Sequence, residues 1–242
     1  MAFIHGKSAG VLYGAYDLSA FFNEASMSQS VETAETTTFG SGAKSYITGL
    51  KDGTFSLSGM FDGVAAGIDE VISASVGDSA NVPITIIPQQ AATMVVSDVS
   101  FSGETLETSY EVSSPVGDVV SANMEGQITG GMDRGIILAP KTVVSATATG
   151  TSVDQTASTT NGGVGYLHVT ANTRNGAITV KVQHSSDNST FADLITFTSV
   201  SSTTIVSERI AVIGTVNRYV RASYTVAGSS GSATTTVAFS RK

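Results

Sequence analysis

Apolar and polar positions alternate with a period of two over most of this chain. Thr54 to Phe61 alternates strictly, with Phe55, Leu57, Gly59 and Phe61 on one side and Thr54, Ser56, Ser58 and Met60 on the other, which predicts a half-buried strand. Ser26 to Thr33 also reads as extended, with a wet face of Ser26, Ser28, Ser30 and Glu32 opposite a thinly apolar face of Met27, Gln29, Val31 and Thr33. Between them, Ala34 to Thr48 holds three consecutive threonines, a Gly-Ser-Gly and only Phe39, Tyr46 and Ile47 as large apolar groups. Those are too few to offset roughly 1–2 kcal/mol per residue of backbone ordering. A segment of this kind is either disordered or ordered by a partner.

Further elements follow along the first 140 residues. Gly10 to Phe22 predicts a short hairpin turning at Gly14. One helix is expected after Asp62 as cap, because Val64, Ile68, Val71, Ile72 and Val76 recur at three- and four-residue spacing before Gly77. Val82 to Ile87 reads as a strand near a sheet edge, since Pro83 cannot donate to a ladder. Three alternating runs come next, Thr93 to Phe101, Thr105 to Ser113 and Val119 to Thr129. In the second, Leu106, Thr108, Tyr110 and Val112 oppose Glu107, Ser109 and Glu111. The third has an apolar face of Val120, Ala122, Met124, Gly126 and Ile128 and a wholly polar one of Ser121, Asn123, Glu125, Gln127 and Thr129.

From Lys141 the texture changes. Ala146 to Gly163 carries one charge and almost no core-sized side chain, which reads as a linker or a wandering entry strand over 141–163. Strand-like runs then recur at Tyr166–Ala171, Ala177–His184, Asp193–Thr198, Thr203–Ile213, Tyr219–Ala227 and Thr234–Ser240, without a helical pattern. The expected fold class is mainly β: a sandwich or barrel with one flanking helix over 1–140, and an antiparallel Ig-like or jelly-roll sandwich over 164–242.

Three blocks, YDLSAFFN, VETAETTTFG and GLKDGTFSLSGMFDG, are similar in sequence and spacing to the major tail tube protein of long-tailed, siphovirus-like bacteriophages. The resemblance covers roughly Ala2 to Ala139, and the rest resembles a generic appended phage β-domain. It implies hexameric rings stacked into a tube through which DNA leaves the virion, with the chain itself, the tape measure, the terminator and the baseplate as partners. In that family the loop between the two strands reaches a neighbouring ring. Here those residues are Ala34, Glu35, Thr36, Thr37, Thr38, Phe39, Gly40, Ser41, Gly42, Ala43 and Lys44. The resemblance places the protein in the virion tail. Another ring-forming tail component, a terminator or baseplate ring, is the nearest alternative, and a carbohydrate- or surface-binding module through residues 141–242 is another.

Charge is divided unevenly beneath a total of −8. Residues 1–140 hold 4 Lys and Arg against 16 Asp and Glu, and residues 141–242 hold 8 against 4. Such an acidic first part lacks the basic footprint of a nucleic-acid binder. A lumen of carboxylates and hydroxyls would instead repel the phosphate backbone and let a duplex slide. Four strands from each of six subunits make a 24-stranded barrel of roughly 24 Å backbone radius, at ~4.8 Å spacing and ~40° tilt. Its bore of roughly 40 Å admits a duplex about 20 Å across. Glu32, Glu107, Glu111 and Glu125 are the candidate lumen residues; outward solvent faces of a sandwich are the competing reading for each. Cysteine and tryptophan are absent, excluding disulfides and thiolate metal sites. There is neither a run of about 18 apolar residues nor a secretory leader pattern, so no membrane insertion is expected, and assembly is expected in the host cytoplasm.

Catalytic motifs are weak, and no cofactor is expected. Gly6-Lys7-Ser8-Ala9-Gly10 matches G-x-S-x-G but has only five residues before it, too few for the strand that a nucleophile elbow needs. The glycine that a phosphate loop needs five positions before Gly6-Lys7-Ser8 is Met1. His5, His168 and His184 form no ligand-spaced pair, and the last two read as wet-face strand residues. Asp187-Asn188-Ser189 reads as a tight turn rather than a calcium loop. Arg209, Arg218 and Arg221, interleaved with Tyr219 and Tyr224, are either ordinary solvated groups or contacts for an anionic surface or sugar.

Overall fold

A computed structural model describes residues 9–64, 67–88 and 93–242. The chain is mainly β, with a single short helix among the described residues. It divides into two compact units: Met1–Phe22, Val82–Ser102 and Asp133–Lys242 form the first, and Asn23–Asn81 with Gly103–Met132 the second. Two long strands, β6 (Val99–Ser113) and β7 (Ser121–Val144), contribute residues to both.

This division cuts across the expected boundary at residue 140. β7 continues to Val144, and the apolar run Ile136 to Ala139 pairs with β15 (Ala233–Arg241) in the register Val237↔Ala139, Ala238↔Ile137 and Phe239↔Ile136. Pro140 falls at a shift in that ladder instead of ending it. Nor is 141–163 a free linker. Val144 is buried, and the two-residue strands β8 (Ala148–Thr149) and β9 (Val153–Asp154) both pair with β14 (Tyr219–Val226).

In the first unit, β1 (Gly10–Tyr13) and β2 (Tyr16–Asp17) form the expected hairpin, with Gly14 at φ +55°. β5 (Val82–Ile87) pairs with β1 from Gly10↔Ile87 to Tyr13↔Ile84. It is an interior strand, lying between β1 and β6, and not near an edge. Pro83 is tolerated because it sits beyond the last β1 pair, where its carbonyl accepts the Gly14 N–H at 2.9 Å. The strand expected from Thr93 starts only at Val99, because Asp98 accepts the Val95 N–H at 2.7 Å and Ser97 takes φ +76°.

Two sheets make the sandwich that the later alternation predicts. One carries β10 (Gly163–Asn172) between β13 (Val206–Val212) and β15. The other runs β12 (Ala192–Thr196), β11 (Ile178–Ser185), β14, β8. Ile178, Val180 and Val182 of β11 and Val220 and Ala222 of β14 bury against Leu167, Val169, Val237 and Phe239 of the facing layer. Burying each of the valine, leucine, isoleucine and phenylalanine side chains among them is worth about 1.5–3 kcal/mol.

The second unit is built on a sheet of order β3-β4-β7-β6, with β3 (Phe22–Glu35) and β4 (Tyr46–Met60) as its hairpin. The expected helix shrinks to six residues, α1 (Ile68–Ser73). Ile68, Val71 and Ile72 are buried, but Val64 and Val76 stay exposed. Asp62 does not cap it; its carboxylate accepts the Val64 N–H at 3.0 Å, and an extended Gly67 precedes the first turn.

Candidate assembly surface

Every residue from Asn23 to Asp52 in the second unit is exposed or half-buried, and among the described residues β3 pairs with β4 alone. The segment between the strands is shorter and better ordered than its composition suggests, since strand extends to Glu35 and resumes at Tyr46. Its order is local. The Thr36 N–H donates to the Ser45 carbonyl at 2.8 Å, the Ser45 N–H to the Thr37 hydroxyl at 3.1 Å, and Lys44 pairs with Glu35 at 3.0 Å. Hydrogen bonds from Lys44 and Thr37 hold the Glu35 carboxyl below its usual range. Gly40 turns the tip at φ +93°, a conformation that favours glycine. Beside it Phe39 is wholly exposed, and Tyr46, Ile47 and Leu50 are exposed along the same hairpin.

Across the sheet, register places polar groups opposite polar groups. Thr54 faces Gln127, Ser56 faces Glu125 and Ser58 faces Asn123. Their alternates Phe55, Leu57, Ala122, Met124 and Ile128 are buried, as the period-two pattern requires. Side chains knit the polar face: Ser28 and Thr54 hydroxyls lie 2.7 Å apart, and the Thr108 hydroxyl donates to the Glu125 carbonyl at 3.3 Å. A polar cleft of about 300 Å³ lies over Ser26, Thr54, Ser56, Thr108, Glu125 and Gln127.

Glu32, Glu111 and Glu125 are exposed. Glu107 is not; it is 3% exposed, and its carboxylate accepts the Ser75 hydroxyl just after α1. The alternation of β6 breaks at Thr108 and Ser109, which are both exposed, so Glu107 and Glu111 do not share one wet face. Tyr110 donates to Asp69 at 2.9 Å on the helix, and burial, then the Asp69 charge, push its phenol pKa up. Acidity is concentrated in this unit. It holds two lysines and thirteen carboxylates, a formal −11, leaving +3 for the first unit.

The arginines singled out by sequence are engaged within the first unit. Arg218 forms two bonds with Asp154, at 2.7 and 2.6 Å, and stacks 5.0 Å from the Tyr219 ring. Arg221 lies 3.7 Å over Phe191 and bonds Gln183, and Arg209 bonds the Tyr166 hydroxyl at 3.1 Å. Tyr224 is buried. His168 is not a wet-face residue: it is fully buried between Gly14 and Thr85, and burial pulls its pKa down to about 4. His184 is half-buried, with its pKa also lowered by burial. Asp187 makes the expected turn, accepting the Ser189 and Thr190 N–H groups at 2.9 Å, which lowers its pKa to about 2. His5 and Gly6-Lys7-Ser8 lie outside the described residues. Among the described residues no group of acidic and histidine side chains is arranged to hold a metal, and no helix is long and apolar enough to cross a membrane.

Comparison with known proteins finds no matching family model and no matching curated protein. Solved structures similar to this chain include the tail of an empty gene transfer agent particle with C6 symmetry, at 17% identity and TM-score 0.38 over 46% of this chain and 80% of that one. A chain of the native gene transfer agent virion is similar at 16% identity and TM-score 0.42, over 55% of this chain and 98% of its own. The Dit protein of phage SPP1, described as a hub of the adsorption apparatus of phages infecting Gram-positive hosts, is similar at 14% identity and TM-score 0.37 over 96% and 98%.

Proposed function

We propose that this chain is a structural subunit of a phage tail tube, in which copies join edge to edge into rings and the rings stack into a conduit for DNA. The observation that carries this reading is the sheet of the second unit. One face is apolar, the other is a continuous surface of hydroxyls, amides and carboxylates, and among the described residues the fourteen-residue strand β3 has a single ladder partner, β4. A long unpaired edge is an aggregation hazard unless another strand meets it. Ring closure with other copies supplies that strand.

Six copies of this four-stranded sheet, the number that the sequence resemblance implies, form a barrel of roughly 24 Å backbone radius, wide enough for a duplex about 20 Å across. In this reading the polar face with Glu32 and Glu125 lines the bore, and its negative field keeps phosphates from being held at any ring. Glu111 remains a candidate for the same surface, whereas Glu107 acts in the fold. Ala34 to Lys44 reaches the neighbouring ring. Tape measure, terminator and baseplate proteins are the expected partners, and the role is structural, without turnover.

Negative-stain microscopy of the concentrated protein tests this. Long hollow tubes are the expected result. Single rings that refuse to stack would favour a terminator or hub role, and protein that remains monomeric at every concentration would sink the reading.

A further inference from the structure

The chain has two Asn-Gly pairs, Asn161-Gly162 and Asn175-Gly176, both in the first unit. An asparagine followed by glycine can cyclise on itself, because without a Cβ the glycine nitrogen approaches the side-chain carbonyl carbon free of a clash. The reaction needs a nitrogen free to attack and stabilisation of the negative charge that develops on Oδ1. The two pairs differ on both counts.

Asn175 lies between β10 and β11, against the loop that joins β14 to β15. Its own N–H donates to the Ser230 carbonyl at 3.2 Å, and the Ser229 and Ser230 N–H groups both donate to its Oδ1 at 3.1 Å. Only the oxygen of an amide side chain accepts, so these two bonds fix which way it points. A Cβ on Gly228 would stand 2.5 Å from that oxygen and 2.9 Å from the Gly176 nitrogen, which places both atoms at the same turn. Asn175 is exposed, and among the described residues the Gly176 N–H has no acceptor. Buried Arg174 holds the facing loop still, donating to the Ala227 carbonyl at 2.9 Å and the Gly231 carbonyl at 3.1 Å, on either side of the two donors.

Asn161 is exposed too, but Gly162 is buried. Its N–H donates to the Gly214 carbonyl at 2.8 Å, and its carbonyl accepts the Lys242 N–H at 3.0 Å. A nitrogen held in this way must give up its bond before it can attack.

We propose that Asn175 is a site of spontaneous covalent modification, a deamidation in which the Ser229 and Ser230 N–H groups act as oxyanion donors. Hydroxide from solvent takes the Gly176 amide proton, and the nitrogen bonds to Cγ of Asn175 as the carbonyl opens to an oxyanion on Oδ1. The two N–H groups already on Oδ1 bind this charge more strongly than the neutral carbonyl. Collapse of the adduct breaks the Cγ–Nδ2 bond. Nδ2 leaves as ammonia with a proton from water, which restores the hydroxide, and a five-membered succinimide remains. Water then opens either ring carbonyl, giving aspartate, or isoaspartate with the chain routed through Cγ. Aspartate keeps both bonds from the serine N–H groups with a charged acceptor. Isoaspartate lengthens the backbone and displaces the pairing of Asn175 with Ser230. Either product adds a negative charge to a unit whose formal charge is +3.

The full chain is incubated at pH 8, folded and in guanidinium chloride, and sampled over days by peptide-mapping mass spectrometry. In the folded protein, acid at position 175 is expected to accumulate at least about tenfold faster than at position 161, whereas the denatured chain should lose both amides at similar rates. An isoaspartate methyltransferase assay separates the two products. Asn175→Gln, whose longer side chain cannot close the five-membered ring, should abolish the acidic species on ion exchange, and Asn175→Asp should elute with it. Equal protection of the two pairs in the folded protein, or slower reaction of Asn175 in the folded than in the denatured chain, would overturn the proposal.

Discussion

His168 Nδ1 lies 2.7 Å from the carbonyl oxygen of Gly14, joining residues 154 positions apart. A carbonyl only accepts, so Nδ1 carries the ring proton and Nε2 is left as the acceptor for the Thr85 hydroxyl at 2.9 Å. Thr85 has then spent its proton, and the Ser102 hydroxyl, 2.9 Å away, must donate to Thr85. This chain of three donors is complete with a neutral imidazole, and protonating Nε2 would set it against the Thr85 proton.

From this follows an acid sensitivity of the first unit. The folded pKa of His168, about 4, lies below the ordinary 6.5, so its contribution is fully present above pH 6.5 and is lost as pH falls from 6.5 towards 4. The loss is on the order of 3 kcal/mol. Urea denaturation at pH 8, 6, 5 and 4.5 should show this decline. His168→Leu should be less stable at pH 8 but flatter over the same window; an equal slope in the variant would show that other groups carry the effect.

Gly126 is required where β7 passes β6. A Cβ there would lie 2.2 Å from the Leu106 carbonyl oxygen and 2.5 Å from the Phe55 ring. Gly126→Ala should therefore cost roughly 2–3 kcal/mol, read as a lowered urea midpoint. Gly42→Ala, where a Cβ meets nothing within 4 Å, serves as the matched control and should leave the midpoint unchanged.

Two glutamates drawn from the same alternating pattern should respond oppositely. Glu107→Lys places a cation in a buried site that accepts a hydroxyl from Ser75, and a loss of about 3–5 kcal/mol is expected on thermal or chemical unfolding. Glu125→Lys lies on the exposed face opposite Ser56. It should fold and assemble normally but slow DNA ejection from reconstituted virions, and unchanged ejection would count against a place in the bore.

Trimming the tip separates folding from stacking. Replacing Thr37–Ala43 with Asn-Gly keeps both strands and the Thr36–Ser45 bond position, so the melting temperature should move by no more than about 1–2 °C. Tubes should disappear under the microscope. Tubes of normal length from this variant would refute a role for the tip.

Period-two patterning made the β class, the strand positions after residue 163 and the polar face through Ser56, Asn123 and Glu125 legible in the sequence, because alternation directly encodes which side is buried. It failed where neighbours decide. Glu107 follows the wet-face pattern, yet Ser75 and α1 close over it. His168 alternates like a surface residue, but both faces of β10 are covered in the first unit, so its seven leading residues are all buried. The change of texture at Lys141 marks a boundary in composition and not in the fold, since β7 pairs with β15 on both sides of it, at Ala139 and at Thr142. The composition of Ala34 to Thr48 reads as disordered or ordered by a partner, and it does not encode the short-range bonds, such as Thr36 to Ser45, that the hairpin tip makes.

Because β15 is seated between β7 and β10, the ribosome must reach residue 241 before Ile136 to Ala139 acquire their neighbour on that side, about 5–20 s after they are translated at about 5–20 residues per second. Residues 23–132 of the same nascent polypeptide emerge earlier, carrying β3 with its open side. Fourteen carboxylates against two lysines in that stretch would hold adjacent nascent chains on one messenger apart during this interval.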